Sequence, residues 1–460
     1  MSYLGAQNSI ALGVQGLIHI DTGGGAGGSA DYLLAKSLRF RSSASAYLGR
    51  TPSVTGSQTT WTWSGWFKRG ALGFEQEFLA GGTNGTVGWN RTTLGILSSD
   101  KLYFGNQAAN FRITTQVFRD PSAWYHLIAV FDSSNATDAD RIRLYINGTQ
   151  VTAFDTNASV PINTASAINS TTTHQIGWVA GGGAALFFDG EMAEVNFVDG
   201  QALAPTAFGA FSAYNQWLPK AYTGTYGTNG FYLPFTNTTS TTTLVADSSG
   251  NGNNWTPNNI SLTAGSTYDS LTDVPTLTST TVANYAVMNP LDKSPSLTIS
   301  NGNLTQYTTA TTYQYGVRSS IRVSSGKWYW ETFIVNRTSG IIVGINGTSL
   351  PMGENDNAFA ATPSYGYNSV NGNKFVNGVS SAYGSSYTSS AVIGIALDMD
   401  AGTLTFYKDN VSQGTAATGI SGSFAACNVT WNSELNANFG QQPFTYTPPS
   451  GFLPLNTYNI

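Results

Sequence analysis

Apolar residues along this chain recur at every second position far more often than at helical spacing, in short runs bounded by Gly, Asn and Asp. The run RIRLYIN, Arg141 to Asn147, alternates strictly, with Ile142, Leu144 and Ile146 on one face and Arg143 and Tyr145 on the other. Asn147-Gly148 follows; both residues tolerate positive φ, so the pair predicts a two-residue hairpin leading into Gln150 and Val151. WYHLIAVF, Trp124 to Phe131, is apolar throughout and predicts a strand buried on both faces, Trp124, Ile128 and Val130 turned one way and Leu127 and Phe131 the other. WTWSGWFKRG places Trp61 and Trp63 on one strand face. Near the other end, VIGIALDMD, a turn at Ala401-Gly402 and TLTFYKDN, with Leu404 and Phe406 on one face, predict another hairpin. No apolar run at i, i+3, i+4 and i+7 carries helix caps. The expected fold class is all-β.

The punctuation between these runs divides the chain. Residues 1–35 combine a mildly apolar opening with the glycine-rich TGGGAGGSA, Thr22 to Ala30, and read as an arm on a flexible hinge. Residues 36–235 hold a first set of strands. Residues 236–283 are rich in Thr, Ser, Asn and Pro, as in ADSSGNGNNWTPNN, and have too few apolar side chains for a core of their own, so they read as a connector packed as extended loop. Residues 284–460 hold a second set of strands. Within it, SGKWYWETF places Trp328, Tyr329 and Trp330 in a row. Alternation sends Trp328, Trp330, Thr332 and Ile334 to one face and Tyr329, Glu331, Phe333 and Val335 to the other, which predicts a core strand rather than a flat platform of three rings.

Composition narrows the chemistry. Only 10% of the residues are charged, against about 25% in ordinary soluble proteins, the net charge is −5, and the basic residues are scattered, so a nucleic-acid partner is not expected. The longest apolar stretches, such as AVIGIAL from Ala391, are too short to span a bilayer. The first basic residue is Lys36 and the opening MSYLGAQNSIALGVQG is weakly apolar; no signal peptide is read there, and folding in a cytoplasm is the expectation. The single cysteine, Cys427, sits in the apolar FAACNVTW and reads as a buried thiol.

Two resemblances add to this reading. WTWSGWFK, WYHLIAVFD, RIRLYINGTQV and FFDGEMAEVNFVDGQAL from Phe187 together resemble the concanavalin A-like, laminin-G type jelly roll of phage and bacterial surface proteins. SGKWYWE, VGI at Val343, YGY at Tyr365, IGIALDMDAGTLTFYKDN and NFGQQPF at Asn438 resemble a SPRY (B30.2) domain. Both imply sandwiches of two antiparallel sheets, so the expected architecture is two jelly-roll β-sandwiches joined by the connector. The combination resembles virion proteins of tailed bacteriophages of the marine type, fibre or head-decoration components assembled in the host cytoplasm and exposed on the particle. That resemblance implies as partners other virion proteins and a host surface polysaccharide or receptor, and a homo-oligomer, a trimer if it forms a fibre; a purely structural cement protein is the alternative.

The residues offer few chemical candidates. Ligand-stacking rings are expected on loops: Trp89 in TVGWNRTT, Trp178 beside VAGGG, and Tyr383 and Tyr387 in SSAYGSSYTSS. Asp189, Glu191 and Glu194 in DGEMAE have the acid-x-acid-x-x-acid spacing that some glucanases of the same jelly roll carry on a bulged strand, which would make the chain a polysaccharide depolymerase. Unbulged alternation instead turns Asp189 and Glu191 away from Glu194, with Asp189 in a turn and Glu194 satisfying backbone donors, and no catalytic residue is expected. His19, His126 and His174 adjoin neither a G-x-S-x-G elbow nor Cys427, and with one cysteine they offer no zinc ligand pair. No cofactor is expected; oxygen-rich loops at Asp132, Asp138 and Asp140 and at Asp247, Asn251 and Asn253 leave calcium as the open possibility, with Asx turns the alternative.

Overall fold

The structure is a computed structural model that describes residues 32–83, 90–106, 109–179, 186–312, 314–353 and 357–460. The arm and its glycine-rich hinge, apart from residues 32–35, lie outside the described residues, as does Trp89. The protein is all-β, built as two sandwiches.

In the first sandwich one sheet runs, in spatial order, Thr149–Gln150, Ile142–Ile146, Trp124–Asp132, Thr60–Arg69, Gly190–Asp199, Ser37–Phe40 and Ser270–Leu271, with Phe231–Leu233 also pairing to Gly190–Asp199. The facing sheet runs Phe154–Asn157, Ala109–Val117, Lys101–Asn106, Asn90–Ile96, Gln76–Thr83, His174–Ile176, Tyr47–Arg50 and Thr256–Asn258. Trp61, Trp63, Phe67, Phe78, Phe104, Leu127, Phe131 and Met192 fill the space between them. The other face of the first sheet is covered too: Trp66, Trp124, Ile128, Val130 and Val198 pack beneath Leu34, Phe208, Trp217 and Val274. That second layer is why WYHLIAVF is apolar on both sides. Asn147 and Gly148 have φ of 47° and 76°, closing the predicted hairpin.

In the second sandwich the twenty-residue strand Lys327–Asn346 is shared by both layers. Its first part pairs with Val392–Asp398, its last part with Ser364–Asn368, and Phe424–Asn438 follows it from Glu331 onward, with register shifts near Ile334 and Gly340. Trp328, Trp330, Ile334, Leu404 and Phe406 lie in the core, while Tyr329 packs on the opposite face against Phe444. No flat platform forms, as alternation requires.

The connector is more structured than an extended loop. Thr241–Leu244 is a helical turn with a Ser240 capping box, Thr256–Asn258 and Ser270–Leu271 add an edge strand to each sheet of the first sandwich, and Leu244, Val245 and Trp255 enter its core. A segment with few apolar residues can order this way because it borrows an existing core. Residues 32–35 are likewise fastened to the first sandwich, through buried Leu34.

A polar seam joins the two sandwiches. Lys68 Nζ, almost fully buried, donates to Asp273 Oδ2 at 2.7 Å, Asn284 Oδ1 at 2.8 Å and the Tyr285 carbonyl at 2.8 Å. Gln442 Nε2 donates to the Tyr268 carbonyl at 2.9 Å, and Asn303 Nδ2 to that of Arg69 at 3.2 Å.

Candidate binding surface

The three acids of DGEMAE do not converge. Asp189 belongs to the seam: its carboxylate accepts from the backbone N–H of Asn301 and of Gly302, both at 2.8 Å, and from Ser42 Oγ at 2.6 Å. Glu191 is buried beside Lys68 and Arg39, and burial, with Asp273 near it, pushes its carboxyl well above the usual range. Glu194 differs from the sequence expectation in two ways. The strand is bulged between Ala193 and Asn196, so Glu194, at φ 53°, leaves the simple alternation. Its carboxyl then takes tyrosine hydroxyls rather than backbone donors: Tyr32 Oη at 2.7 Å and Tyr232 Oη at 2.9 Å. With Asp189 and Glu194 committed to separate partners and Glu191 sealed in the interior, the three do not present a carboxyl pair to one glycosidic bond.

A Ser–His pair exists but is wired the wrong way for a nucleophile. Ser64 Oγ lies 2.8 Å from His126 Nε2, while Trp217 Nε1–H donates to His126 Nδ1 at 2.8 Å. The indole makes Nδ1 the acceptor, so Nε2 carries the hydrogen and donates to the serine instead of taking its proton. Burial also drives the His126 pKa down to about 3. His174 lies in a strand, not a loop, with Nε2 accepting from Asn169 N at 3.0 Å. Asp247 spends its oxygens on the N–H groups of Tyr232, Ser249 and Asn253 and on Ser249 Oγ, the Ser249 bond being an Asx turn, while Asp138 accepts from Arg141 and from Val160 N of a separate segment. Among the described residues no group of three His, Cys, Asp or Glu is placed to hold a metal. Cys427 is buried.

The stacking candidates separate. Tyr387 is a correction: it is 1% exposed and its hydroxyl donates to the Tyr367 carbonyl at 2.8 Å, because the loop folds inward over the Tyr367 and Phe406 rings and carries Tyr387 into the core. Tyr383 is half-buried, edge-on to Tyr367 and beneath Lys374 Nζ at 5.5 Å, with its hydroxyl bonded to the Gly414 carbonyl; it covers the core margin more than it offers a free face. Trp178 belongs to the first sandwich. It is half-buried just beyond the His174–Ile176 strand and stacks on Phe187, rings 5.4 Å apart and 9° from parallel, while the Tyr47 ring meets it tilted by 49° at 4.6 Å.

Alternation explains two of the rings: Leu48 and Phe188 turn into the core, which leaves Tyr47 and Phe187 on the outer side, whereas Trp178 has the parity of core Ile176 and lies past the strand end, beyond Gly177 at φ 82°. Asn258, paired with Tyr47 across the edge strand, puts its carboxamide at the rim, where bare Gly49 leaves room beside the Tyr47 ring. The sequence reading missed Tyr47 and Phe187; FFDG hints that one of its two rings faces out, but Tyr47 gives no local signal. Three contiguous half-buried rings with an amide at their edge can bind apolar faces that carry hydrogen-bonding groups at their margins.

Residues 41–207 match the concanavalin A-like lectin/glucanases superfamily and residues 327–442 match the SPRY domain. The chain carries both domains. The chain is 31% identical over 145 residues to the E3 ubiquitin-protein ligase RKP of Arabidopsis thaliana, covering 30% of this chain and 11% of that protein. Identity is 29% over 185 residues, 39% of this chain and 24% of the relative, with the ATP-dependent RNA helicase DDX1 of Xenopus laevis. It is 28% over 167 residues, 34% and 17%, with the Ran-binding proteins 9/10 homolog of Drosophila melanogaster. The chain thus matches a quarter or less of the length of these relatives. Among solved structures, the SPRY domain of human HERC1 aligns at 21% identity over 33% of this chain and 96% of that one, with a TM-score of 0.29, and the TRIM65 PSpry domain at 16% identity over 34% and 90%, with a TM-score of 0.27. The ring cluster belongs to the concanavalin A-like domain: Tyr47 and Trp178 lie within its matched residues.

Proposed function

We propose that this chain is a non-enzymatic binding protein whose concanavalin A-like domain takes carbohydrate on the Tyr47, Trp178 and Phe187 rings. The observation that carries this reading is the ring cluster itself: flat apolar faces suit the C–H face of a sugar, and the Asn258 carboxamide suits its hydroxyls. The proposed setting is a tailed-phage particle, with the chain as a fibre or head-decoration component bound to other virion proteins, oligomeric, and directed at a host surface polysaccharide. Only the sequence resemblance supports that setting. Many copies on a particle would turn weak single contacts into useful avidity.

The test is titration of the protein with polysaccharides purified from bacterial envelopes. Trp178→Ala is expected to weaken binding at least about tenfold, or 1.4 kcal/mol, while the melting curve keeps its shape. Equal binding by wild type, Trp178→Ala and Tyr47→Ala would remove the ring cluster from consideration. A particle reconstruction with these rings buried against a neighbouring subunit would favour the cement reading instead.

A further inference from the structure

The bulge at Glu194 creates an arrangement that ligand binding does not use. Tyr32 Oη donates to Glu194 Oε1 at 2.7 Å, Tyr232 Oη donates to Oε2 at 2.9 Å, and the two phenol oxygens stand 2.9 Å apart. Four oxygens therefore form a closed ring with three hydrogen-bond-length contacts between the side chains. The two phenols bring one hydrogen each. With the carboxyl ionised, two hydrogens must serve three contacts and one pair of oxygens faces without a proton between them. With the carboxyl neutral, three hydrogens fill the three contacts once the Glu194–Tyr232 bond reverses: the Glu194 O–H donates to Tyr232 Oη, Tyr232 Oη to Tyr32 Oη and Tyr32 Oη to Oε1, each bond polarising the next.

The surroundings favour the neutral form. Glu194 is 5% exposed. The groups that act on the cluster electrostatically are Tyr32 on the entering segment, Tyr232 on the neighbouring strand and Tyr226 on the adjoining loop, with Tyr222 and Asp247 acting on Tyr226 in turn; none is a cation. Across the bulge the Thr60–Arg69 strand presents Ser64 and Trp66, and Asn196 on the Glu194 strand is neutral. Burial lifts the carboxyl to about 7 against the pull of the two hydroxyls. The left-handed φ of Glu194 is unfavourable for a side chain, so the ring must hold the residue in place.

We propose that Glu194 is a proton-operated latch: protonated, it closes the ring and holds Tyr32 on the sheet; ionised, it lets Tyr32 go. Release is local. Leu34 stays anchored by its N–H to Thr276 Oγ1 at 3.1 Å and by its carbonyl to Thr278 Oγ1 at 2.9 Å, and Leu33 between them is 39% exposed. The Tyr32–Leu33 peptide bond is therefore the point where opening becomes visible.

Chymotrypsin cleaves after tyrosine, and mass spectrometry can follow that one bond in the full-length protein. Glu194→Gln supplies an amide that donates and accepts at every pH, so it serves as the permanently closed reference and corrects for the protease's own pH dependence. Relative to it, wild-type cleavage is expected to be similar at pH 5.5 and roughly tenfold faster at pH 8.5, as the ionised fraction rises. Tyr32→Phe, which breaks the ring and is still cleaved, is expected to be fast at both. A constant ratio of wild type to Glu194→Gln, or a Tyr32→Phe protein as protected as wild type, overturns the latch. Carboxyl NMR on 13C-glutamate-labelled wild type gives an independent reading: a Glu194 signal that titrates near the ordinary glutamate value also overturns it.

Discussion

Glu331 sits in the aromatic run of the SPRY domain, 2% exposed, and its chemistry is wholly structural. Its two oxygens accept from Thr445 N at 2.7 Å, from Tyr446 N at 2.9 Å and from Tyr329 Oη at 3.1 Å, so one side chain holds the segment after Phe444 against the Lys327–Asn346 strand. Burial pushes its carboxyl up while those N–H groups pull it down. Glu331→Ala leaves the part-buried N–H groups of Thr445 and Tyr446 without their acceptor, which should cost about 1–3 kcal/mol in all. Glu331→Gln keeps one acceptor oxygen and should lose less. Denaturant melts of the three proteins check this, and an alanine variant within about 0.5 kcal/mol of wild type would mean that solvent already reaches those amides.

At the scale of elements, the predicted hairpin at Asn147-Gly148 carries a cost that only the structure reveals. A Cβ on Gly148 would stand 2.3 Å from the Trp217 ring, and its φ is 76°. Gly148→Ala therefore combines left-handed strain with a collision against a ring that also holds His126, and should destabilise by more than about 1 kcal/mol. Gly73→Ala is the control, since φ is similarly positive at 75° but nothing lies within 4 Å of the added carbon. Equal losses in the two variants would show that the ring simply moves aside. Strands such as Trp124–Asp132 and Ile142–Ile146 were legible because alternation is local: every inward and outward assignment in them holds. The bulge at Glu194 was not legible, because the partners that its carboxyl meets, Tyr32 and Tyr232, lie far away along the chain. The inward turn of Tyr387 was equally hidden, as its loop composition is that of an exposed turn while its partner is Tyr367. Trp178 was visible as an aromatic beside glycines, but Tyr47, which makes it a surface, was not.

The two domains differ in family, yet buried charge ties them together, and that sets how the whole molecule unfolds. Lys68 has exchanged water for three oxygens, two of them on Asn284 and Tyr285 where the second sandwich begins, and Asp273 is held in turn by Trp124 Nε1 at 2.9 Å. A buried pair contributes little net stability compared with apolar packing, but removing one partner leaves the other charge uncompensated. Lys68→Met should therefore destabilise by about 3–5 kcal/mol, whereas Lys68→Met with Asp273→Leu should recover much of that loss despite carrying two changes. Because the seam couples both sandwiches, wild type should melt in one calorimetric transition and Lys68→Met in two, the SPRY domain separating from its neighbour. Two resolved transitions already in wild type would show that the domains are merely adjacent. In that case Asp189, which accepts the Asn301 and Gly302 amides across the same seam, could be replaced without disturbing the second domain.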